Sequence, residues 1–141
     1  MKSSFKFEQI IPNKSQIDSL YELLKNRKYL ISHVNLPSYK EHEKFVLDNP
    51  YKSWYLILSE DLPIGAFYIK YDNSIGINVK NQNIELIEST IKYIKENFKP
   101  ELPKASLIPN YFYINIANEN ESLKEILKKL NIHEIQISYK I

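Results

Sequence analysis

The sequence predicts an α+β fold in which helices cover both faces of a central, mixed, mostly antiparallel sheet. Between residues 54 and 80, three segments carry apolar side chains with period two and are separated by short turns, which is typical of antiparallel strands. From Ile84 to Phe98 the period changes to 3.6, because isoleucines recur three or four residues apart, as on one helix face. A further strand pattern after that helix implies a crossover connection, which makes the sheet mixed.

The first strand and the first helix are expected near the N-terminus. Residues 5–11 (FKFEQII) alternate and are rich in strand-favouring types, and Pro12-Asn13 ends this strand. Ser15 is the expected N-cap of a helix whose apolar positions recur at a spacing of three or four. The polar residues 25–28 end that helix.

A second, shorter helix is expected after an apolar loop over residues 29–37. Ser38 is its expected N-cap, and Glu41 three residues later completes a capping box. The helix should run through Leu47 and end before Asn49-Pro50, because the residue before a proline disfavours helical backbone.

The remaining elements complete the predicted order β-α-α-β-β-β-α-β-α-β. Three meander strands are expected, at residues 54–60, 64–71 and 74–80, with turns at 61–63 and 72–73. Pro100 ends the helix over 84–98. The last elements are expected to be a loop to Asn110, a strand over 111–117, a helix over 120–130 and a closing strand over 133–141.

Length and composition indicate one domain and narrow the range of functions. With 141 residues, 43% of them hydrophobic, the chain is long enough to build its own core, so we expect a single domain over residues 1–141. The lack of cysteine excludes disulfides, iron–sulfur clusters, Cys-ligated zinc and thiol catalysis. Three scattered histidines disfavour a metal site, and a net charge of +2 disfavours a nucleic-acid partner.

The sequence also suggests where the protein works. No apolar run approaches the roughly 18 residues that a membrane-spanning helix needs, and the N-terminal MKSSFKFEQI lacks the apolar core of a secretory signal. We therefore expect a cytoplasmic protein with no membrane partner. Its basic side chains are almost all lysine, with Arg27 as the single arginine, which is typical of a protein from an AT-rich genome.

This element order resembles the GNAT superfamily of acyl-CoA-dependent N-acyltransferases over essentially the whole chain. In that family an Ile/Val-Gly pair opens the third strand, as Ile64-Gly65 does here. The fourth strand leads through a short loop into a long helix, as in SIGINVK-NQN-IELIESTIKYI. A later Asn-rich helix ends in Lys-Leu-Gly-Phe, to which Lys129-Leu130-Asn131-Ile132 is a near match.

The resemblance implies acetyl-CoA, or another acyl-CoA, as cosubstrate. Backbone groups of the fourth strand would bind the pantetheine arm, and amides at the start of the long helix would bind the pyrophosphate, because a helix N-terminus attracts anions. The family usually has glycines in this loop and the chain has none there, while Glu85 and Glu88 would repel phosphate. The implied cofactor-binding residues are Ile77, Asn78, Val79, Gln82, Asn83 and Ile84.

Two asparagines before the last helix are further candidates for the pantetheine arm. The family uses an asparagine in this region, and counting back from Asn131-Ile132 favours Asn120. Asn118 fits the N-cap position of the helix better. Both are kept as cofactor-binding candidates, one of the two being a cap only.

Catalysis in this family uses a base and often a tyrosine acid. The usual tyrosine position corresponds to Leu127, which cannot donate a proton, so Tyr111 and Tyr113 on the fifth strand are the candidate acids. The alternative is that both pack on the sheet as ordinary amphipathic side chains. His33 is the candidate base, since histidine titrates near neutral pH; otherwise it hydrogen-bonds a loop carbonyl. His42 is expected to be a surface residue.

The acceptor is expected to be a small-molecule amine, which would enter between the first two helices. His33, Tyr51 and Trp54 are the substrate-binding candidates, because aromatic faces stack on sugars and bases; an anchor in the core is the alternative for the aromatics. The segment 31–57 has a faint resemblance to small proteins of amino-sugar biosynthesis, which points to an amino-sugar acceptor.

Three functions follow from these observations. The first is an N-acyltransferase that moves an acetyl group from acyl-CoA to an amine. The second is a GNAT-like domain that has lost CoA binding and acts as a non-catalytic binding or accessory module. The third is a small-ligand or nucleotide-binding protein that uses Trp54 and Tyr55 without acyl transfer. An open sheet edge at the C-terminal strand would also permit a homodimer.

Overall fold

A computed structural model of the chain describes residues 4–27 and 35–141. Five strands and four helices follow one another in the order β-α-α-β-β-β-α-β-α within these ranges. They are β1 (Phe5–Gln9), α1 (Lys14–Lys25), α2 (Tyr39–Asp48), β2 (Ser53–Ser59), β3 (Leu62–Ile69), β4 (Ser74–Val79), α3 (Ile84–Asn97), β5 (Tyr113–Ile114) and α4 (Glu121–Lys129).

One five-stranded sheet organises the fold, with the strands in the order β1-β2-β3-β4-β5. The first four strands are antiparallel to their neighbours, whereas β5 is parallel to β4. The hairpin between β2 and β3 turns at Glu60 and Asp61, which both have positive φ, 51° and 65°. The predicted α+β class and the mostly antiparallel, mixed sheet are therefore confirmed.

Side chains alternate between the two faces of the sheet and build a core on each. On one face, α1 and α2 cover β2 and β3 through Ile17, Leu20, Val46, Trp54, Leu56 and Ala66. On the opposite face, α3 covers the sheet through Ile57, Phe67, Ile69, Ile75, Leu86 and Ile94. The last helix, α4, packs against α3 through Ile87, Leu123, Ile126 and Leu127. Helices on both faces were predicted from the sequence and are confirmed.

Capping side chains fix where the helices begin. Ser38 and Glu41 form the predicted capping box at the start of α2, with Glu41 N donating to Ser38 Oγ at 3.2 Å. The predicted cap of α1 was wrong by two positions, because Asn13 rather than Ser15 accepts from Gln16 N, at 3.0 Å. Asparagine caps as well as serine does, and here it follows Pro12 directly.

The predicted closing strand over residues 133–141 is absent from the structure. Its side chains alternate as a strand requires, yet Ile135 and Ile137 are 61% and 60% exposed and the segment pairs with no strand among the described residues. A strand needs a neighbour for its backbone hydrogen bonds. The adjacent strand was expected over 111–117, but β5 pairs only at Tyr113 and Ile114, so it offers little edge to pair with.

Candidate functional site

The two parallel strands β4 and β5 separate soon after they meet. Ser74 pairs with Tyr113 and Ile75 with Ile114, and the ladder ends there. Asn115 N still donates to Ile75 O at 3.2 Å, but the rest of β4 has no pairing on that side among the described residues. A gap therefore opens between the second half of β4 and the segment that leads to α4.

Backbone polar groups of β4 face this gap. The carbonyls of Asn73 and Ile75 point towards β5, where they accept from Tyr113 and Asn115. Because successive residues of a strand direct their backbone groups to opposite sides, Ile77 and Val79 point the same way. Beyond Ile75 these donors and acceptors meet no strand, so they are available to an extended ligand that carries amide groups.

A cavity of about 500 Å³ occupies the gap and extends beneath α1 and α2. Its first part is lined by the open end of β4 and by the segment that leads to α4, including Ile77, Asn78, Val79, Asn115, Ala117 and Asn120. Its second part lies under the helices and is mainly aromatic, with Phe45, Tyr51, Trp54 and Tyr68. Asn78 joins the two parts, because its Nδ2 donates to Leu23 O at the end of α1, at 3.4 Å.

The start of α3 borders the first part of the cavity. Asn83 caps this helix by accepting from Leu86 N at 2.9 Å, which leaves the amides of Ile84 and Glu85 without an intrahelical partner. Gln82 Oε1 is buried and has no hydrogen-bond partner in the described parts of the chain. Lys80 lines the cavity beside it. This end thus combines a cation, open amides and an unsatisfied buried acceptor.

The aromatic part of the cavity is organised by two tyrosines. The rings of Tyr51 and Tyr68 stack with their centroids 4.0 Å apart and an interplanar angle of 6°, and Tyr51 meets Trp54 edge-on at 4.8 Å. Tyr68 lies over Gly76, its partner in β4, so closely that a β-carbon there would stand 2.4 Å from the tyrosine hydroxyl. The hydroxyl of Tyr68 therefore reaches the middle of β4, next to the gap.

Burial keeps both tyrosine hydroxyls protonated. It raises the pKa of Tyr51 and of Tyr68 above the ordinary value, and the charge of Arg27 opposes the shift in each case. Arg27 also lines the cavity, whereas no aspartate or glutamate does so among the residues that the structure describes. The cavity walls are therefore electropositive, with neutral hydroxyl donors at their centre.

His42 is buried between α1 and α2 and borders the cavity. Its Nε2 lies 3.0 Å from Ile17 O, and since a carbonyl only accepts, Nε2 carries the proton and Nδ1 the lone pair. Burial lowers the pKa of this imidazole, while the hydrogen bond to Ile17 opposes the shift. The expected surface position was wrong, because the residue is only 3% exposed.

Solved structures share the fold of this chain. The N-acetyltransferase PseH of Campylobacter jejuni, solved with acetyl coenzyme A, matches with a TM-score of 0.64 at 14% identity, over 96% of this chain and 92% of that one. An acetyltransferase from Thermus thermophilus matches with a TM-score of 0.67 at 10% identity, over 92% and 86%. The aminoglycoside N-acetyltransferase AAC(6')-Iy, solved with CoA, matches with a TM-score of 0.61 at 12% identity, over 100% and 97%.

The chain has the GNAT fold. No protein-family model matches the sequence, and no curated protein matches it either. The likeness is therefore one of structure at low identity, as expected for a divergent sequence. Within the described residues, no helix is both long and apolar enough to cross a membrane, and no three His, Asp or Glu side chains come together as a metal site would require.

The GNAT fold brings most of the predicted cosubstrate residues to one place. Ile77, Asn78, Val79, Gln82 and Asn120 all line the cavity. Asn83 and Ile84 stand at the start of α3, just outside its lining, and Ile84 is 40% exposed. Positive φ occurs at six described positions and at none between residues 80 and 84, so the backbone conformation of this loop does not favour glycine.

The two asparagines before α4 differ from the prediction. Asn120, not Asn118, is the N-cap, with its Oδ1 accepting from Leu123 N at 3.2 Å. Asn120 is also 6% exposed and lines the cavity, so the residue that caps the helix is the same one that borders the cavity. Asn118 is exposed, and its backbone oxygen accepts from Lys124 Nζ at 2.7 Å.

Two of the predicted catalytic residues, both tyrosines, lie away from this cavity. Tyr111 and Tyr113 lie beside the loop over residues 103–110, in a second, shallower depression. Asp72 and Ser74 lie near the Tyr113 hydroxyl. His33 lies outside the described residues. Of the substrate-binding candidates, Tyr51 and Trp54 do line the cavity.

Several cavity residues were missed by sequence reasoning. Tyr68, His42, Lys80 and Arg27 carry no motif, and only their fold positions bring them together. The period-two pattern of β3 did place Tyr68 on the same face as Ala66, and Arg27 stood out as the single arginine. The proposed pairing of Trp54 with Tyr55 was wrong, because Tyr55 stacks on Phe67 at 5.2 Å, on the opposite face of the sheet.

Proposed function

We propose that the protein is an acyl-CoA-dependent N-acyltransferase that transfers an acetyl group to the amine of a small molecule. The observation that carries this proposal is the gap beside β4, where the backbone groups of Ile77 and Val79 are open and a two-part cavity begins. The solved structures with this fold include N-acetyltransferases in complex with acetyl-CoA or CoA.

The residues around the gap fit the chemistry of an acyl-CoA. The pantetheine arm contains two amide groups, which match the open donors and acceptors of Ile77 and Val79 in the way that a neighbouring strand would. Gln82 Oε1, an unsatisfied buried acceptor, would take a further amide N–H. Lys80 and the open amides of α3 would hold the pyrophosphate, through charge and through the helix dipole.

The aromatic part of the cavity would hold the acceptor. The bound thioester supplies an activated acetyl group, so that a C–N bond replaces its C–S bond while one proton passes from the amine to the thiol. Tyr68 holds a proton at Oη next to Gly76 and is the donor nearest to β4. His42 holds a lone pair at Nδ1 and is a candidate base together with His33. Tyr51 and Trp54 would stack on the acceptor, as they would on a sugar ring.

Calorimetric titration with acetyl-CoA tests the proposal directly. We expect saturable binding, and we expect Lys80→Gln to weaken it about threefold or more, since one exposed charge is removed from the phosphate end. Lys70→Gln is the matched control, because Lys70 is an exposed lysine at the opposite end of the β3–β4 hairpin. If the wild-type protein shows no heat of binding at millimolar acetyl-CoA, the transferase proposal fails and a non-catalytic binding module becomes the better description.

A further inference from the structure

The single arginine of the chain borders the candidate site. Arg27 follows α1 and lines the cavity, and its Nε is buried with no hydrogen-bond partner in residues 4–27 and 35–141. Across the same residues its guanidinium forms no ion pair. A guanidinium remains charged at every pH that proteins tolerate. A buried N–H of a charged group without a partner costs free energy, and an anion that accepts from Nε would recover that cost.

The described surroundings of Arg27 supply no such anion. The described residues that line the cavity include no carboxylate, and the arginine charge acts on the hydroxyls of Tyr51 and Tyr68, which are neutral. Neutral hydroxyls do not balance a guanidinium. A molecule that enters the cavity would supply the balancing charge.

We assign the phosphates of a cosubstrate to another part of the cavity. Tyr68 pairs with Gly76, whereas Lys80 and the start of α3 lie at the far end of β4. Four residue steps of extended strand separate Gly76 from Lys80, which is about 13 Å. Because the charge of Arg27 acts on Tyr51 and Tyr68, we assign Arg27 to the acceptor end and Lys80 to the phosphate end.

We propose that Arg27 binds an oxyanion, a carboxylate or a phosphate, that is part of the acceptor amine. This inference rests on the proposed transferase function and names its substrate class. The planar guanidinium matches such groups with two parallel hydrogen bonds. Tyr51 and Trp54 hold the body of the acceptor while Arg27 fixes its charged end. A polycationic amine is disfavoured, because the cavity offers it two cations and no carboxylate among the described lining residues.

The single arginine also makes the test specific. In a ¹⁵N-labelled sample, Arg27 gives the only arginine Nε–H signal, which can be followed by NMR with CoA in excess to fill the cosubstrate site. Two matched pairs of probes separate the two anions: glucosamine 6-phosphate against glucosamine, and tyrosine against tyrosinamide. We expect a saturable shift of this signal with the member of one pair that carries the phosphate or carboxylate and none with the member that lacks it. The pair that responds identifies the anion.

Variants and controls complete the experiment. Arg27→Gln should weaken the binding of the responding probe at least about tenfold, as measured by calorimetry. Arg27→Lys should recover part of the lost affinity, because lysine keeps the positive charge but lacks the planar guanidinium that forms two parallel hydrogen bonds. Acetyl-CoA affinity should be unchanged in both variants. The inference is overturned if neither the phosphate nor the carboxylate probe shifts the signal, if the probes that lack the oxyanion shift it equally, or if CoA alone prevents every further shift. The probes are also titrated into the protein without CoA. If acetyl-CoA does not bind, the transferase proposal fails, while the shift of the Arg27 signal with each probe is still measured.

Discussion

The ring of Tyr68 lies directly against the backbone of Gly76, its cross-strand partner in β4. A β-carbon at Gly76 would stand 2.1 Å from Tyr68 Cζ, a separation that side chains do not tolerate. Gly76 has no positive φ, so this close approach, rather than a special backbone conformation, explains the glycine. The pair sets the position of the hydroxyl at the entrance to the gap.

Gly76→Ala should therefore destabilise the protein by about 1–3 kcal/mol, because the tyrosine must leave its stacked position. In the Tyr68→Ala background the same change should cost less, giving a coupling of about 1 kcal/mol or more in a double-mutant cycle measured by urea unfolding. Gly65→Ala is the control: its β-carbon would meet Val79 Cγ1 at 2.7 Å, so Tyr68→Ala should not relieve it. Additive costs for Gly76→Ala and Tyr68→Ala would show that the two residues do not meet as described.

Tyr68→Phe tests the hydroxyl separately from the ring. If Oη donates a proton or hydrogen bond during transfer, kcat should fall about tenfold or more while acetyl-CoA affinity is kept. Tyr51→Phe removes the stacked neighbour's hydroxyl and should change kcat less, since only Tyr68 lies against β4. Equal effects of the two variants on kcat, or no effect of either, would show that the Tyr68 hydroxyl takes no specific part in the transfer.

Glu85→Gln tests the assignment of the phosphate site to the start of α3. Glu85 is exposed in the first turn of this helix, where it competes with a bound pyrophosphate. Its neutralisation should tighten acetyl-CoA binding about two- to fivefold at low ionic strength, and added salt should reduce the gain. Glu125→Gln, on the exposed side of α4, should leave the affinity unchanged. A weaker or unaltered affinity for Glu85→Gln would place the phosphates elsewhere.

His42 should make the stability of the protein depend on pH. Burial lowers the pKa of its imidazole below 6.5, so the unfolded chain binds the proton more readily than the folded one. The stability that neutral His42 contributes is fully present above the pKa that the residue has in the unfolded chain. It is lost as the pH falls through the pKa that the residue has in the folded protein. In His42→Gln, whose amide can still donate to Ile17 O, the free energy of unfolding should change less on acidification. The exposed His133→Gln should behave like the wild type, and a steeper pH dependence in His42→Gln would contradict the assignment.

The C-terminal segment over residues 133–141 should tolerate substitutions that introduce charged side chains. Ile135 and Ile137 are well exposed, so Ile135→Lys with Ile137→Lys should change the free energy of unfolding by less than about 0.5 kcal/mol in the monomer. The same double variant reports on self-association, because alternating exposed isoleucines are suited to pair with another edge. A large loss of stability, with or without a smaller sedimentation coefficient, would show that the segment is covered in solution.

Local signals were enough to predict the order of the first nine elements, but not the last strand. The capping box at Ser38 and the isoleucine stripe of α3 act within a few residues, so their outcome does not depend on distant parts of the chain. Residues 133–141 show the limit of such signals. Period two tells which side chains share a face, but it does not tell whether a neighbouring strand exists.

The site was predictable only where it follows the backbone of one element. Ile77 to Val79 and Gln82 were expected from the resemblance of β4 and its loop, and they do line the cavity. Arg27 follows α1, while His42 and Tyr68 come from α2 and β3, and nothing in their sequence neighbourhoods links them. Their convergence depends on how α1 and α2 lie on the sheet, which is a property of tertiary packing.

The short ladder between β4 and β5 has a consequence for the free protein. A sheet normally protects its backbone amides from exchange with solvent on both sides of an inner strand, but β4 is an inner strand along only part of its length. The amides of Ile77 and Val79 should exchange deuterium rapidly without ligand and slowly with it. Under the proposed function, the bound cosubstrate would take the place of a neighbouring strand along the second half of β4 and would complete the hydrogen bonding of the sheet.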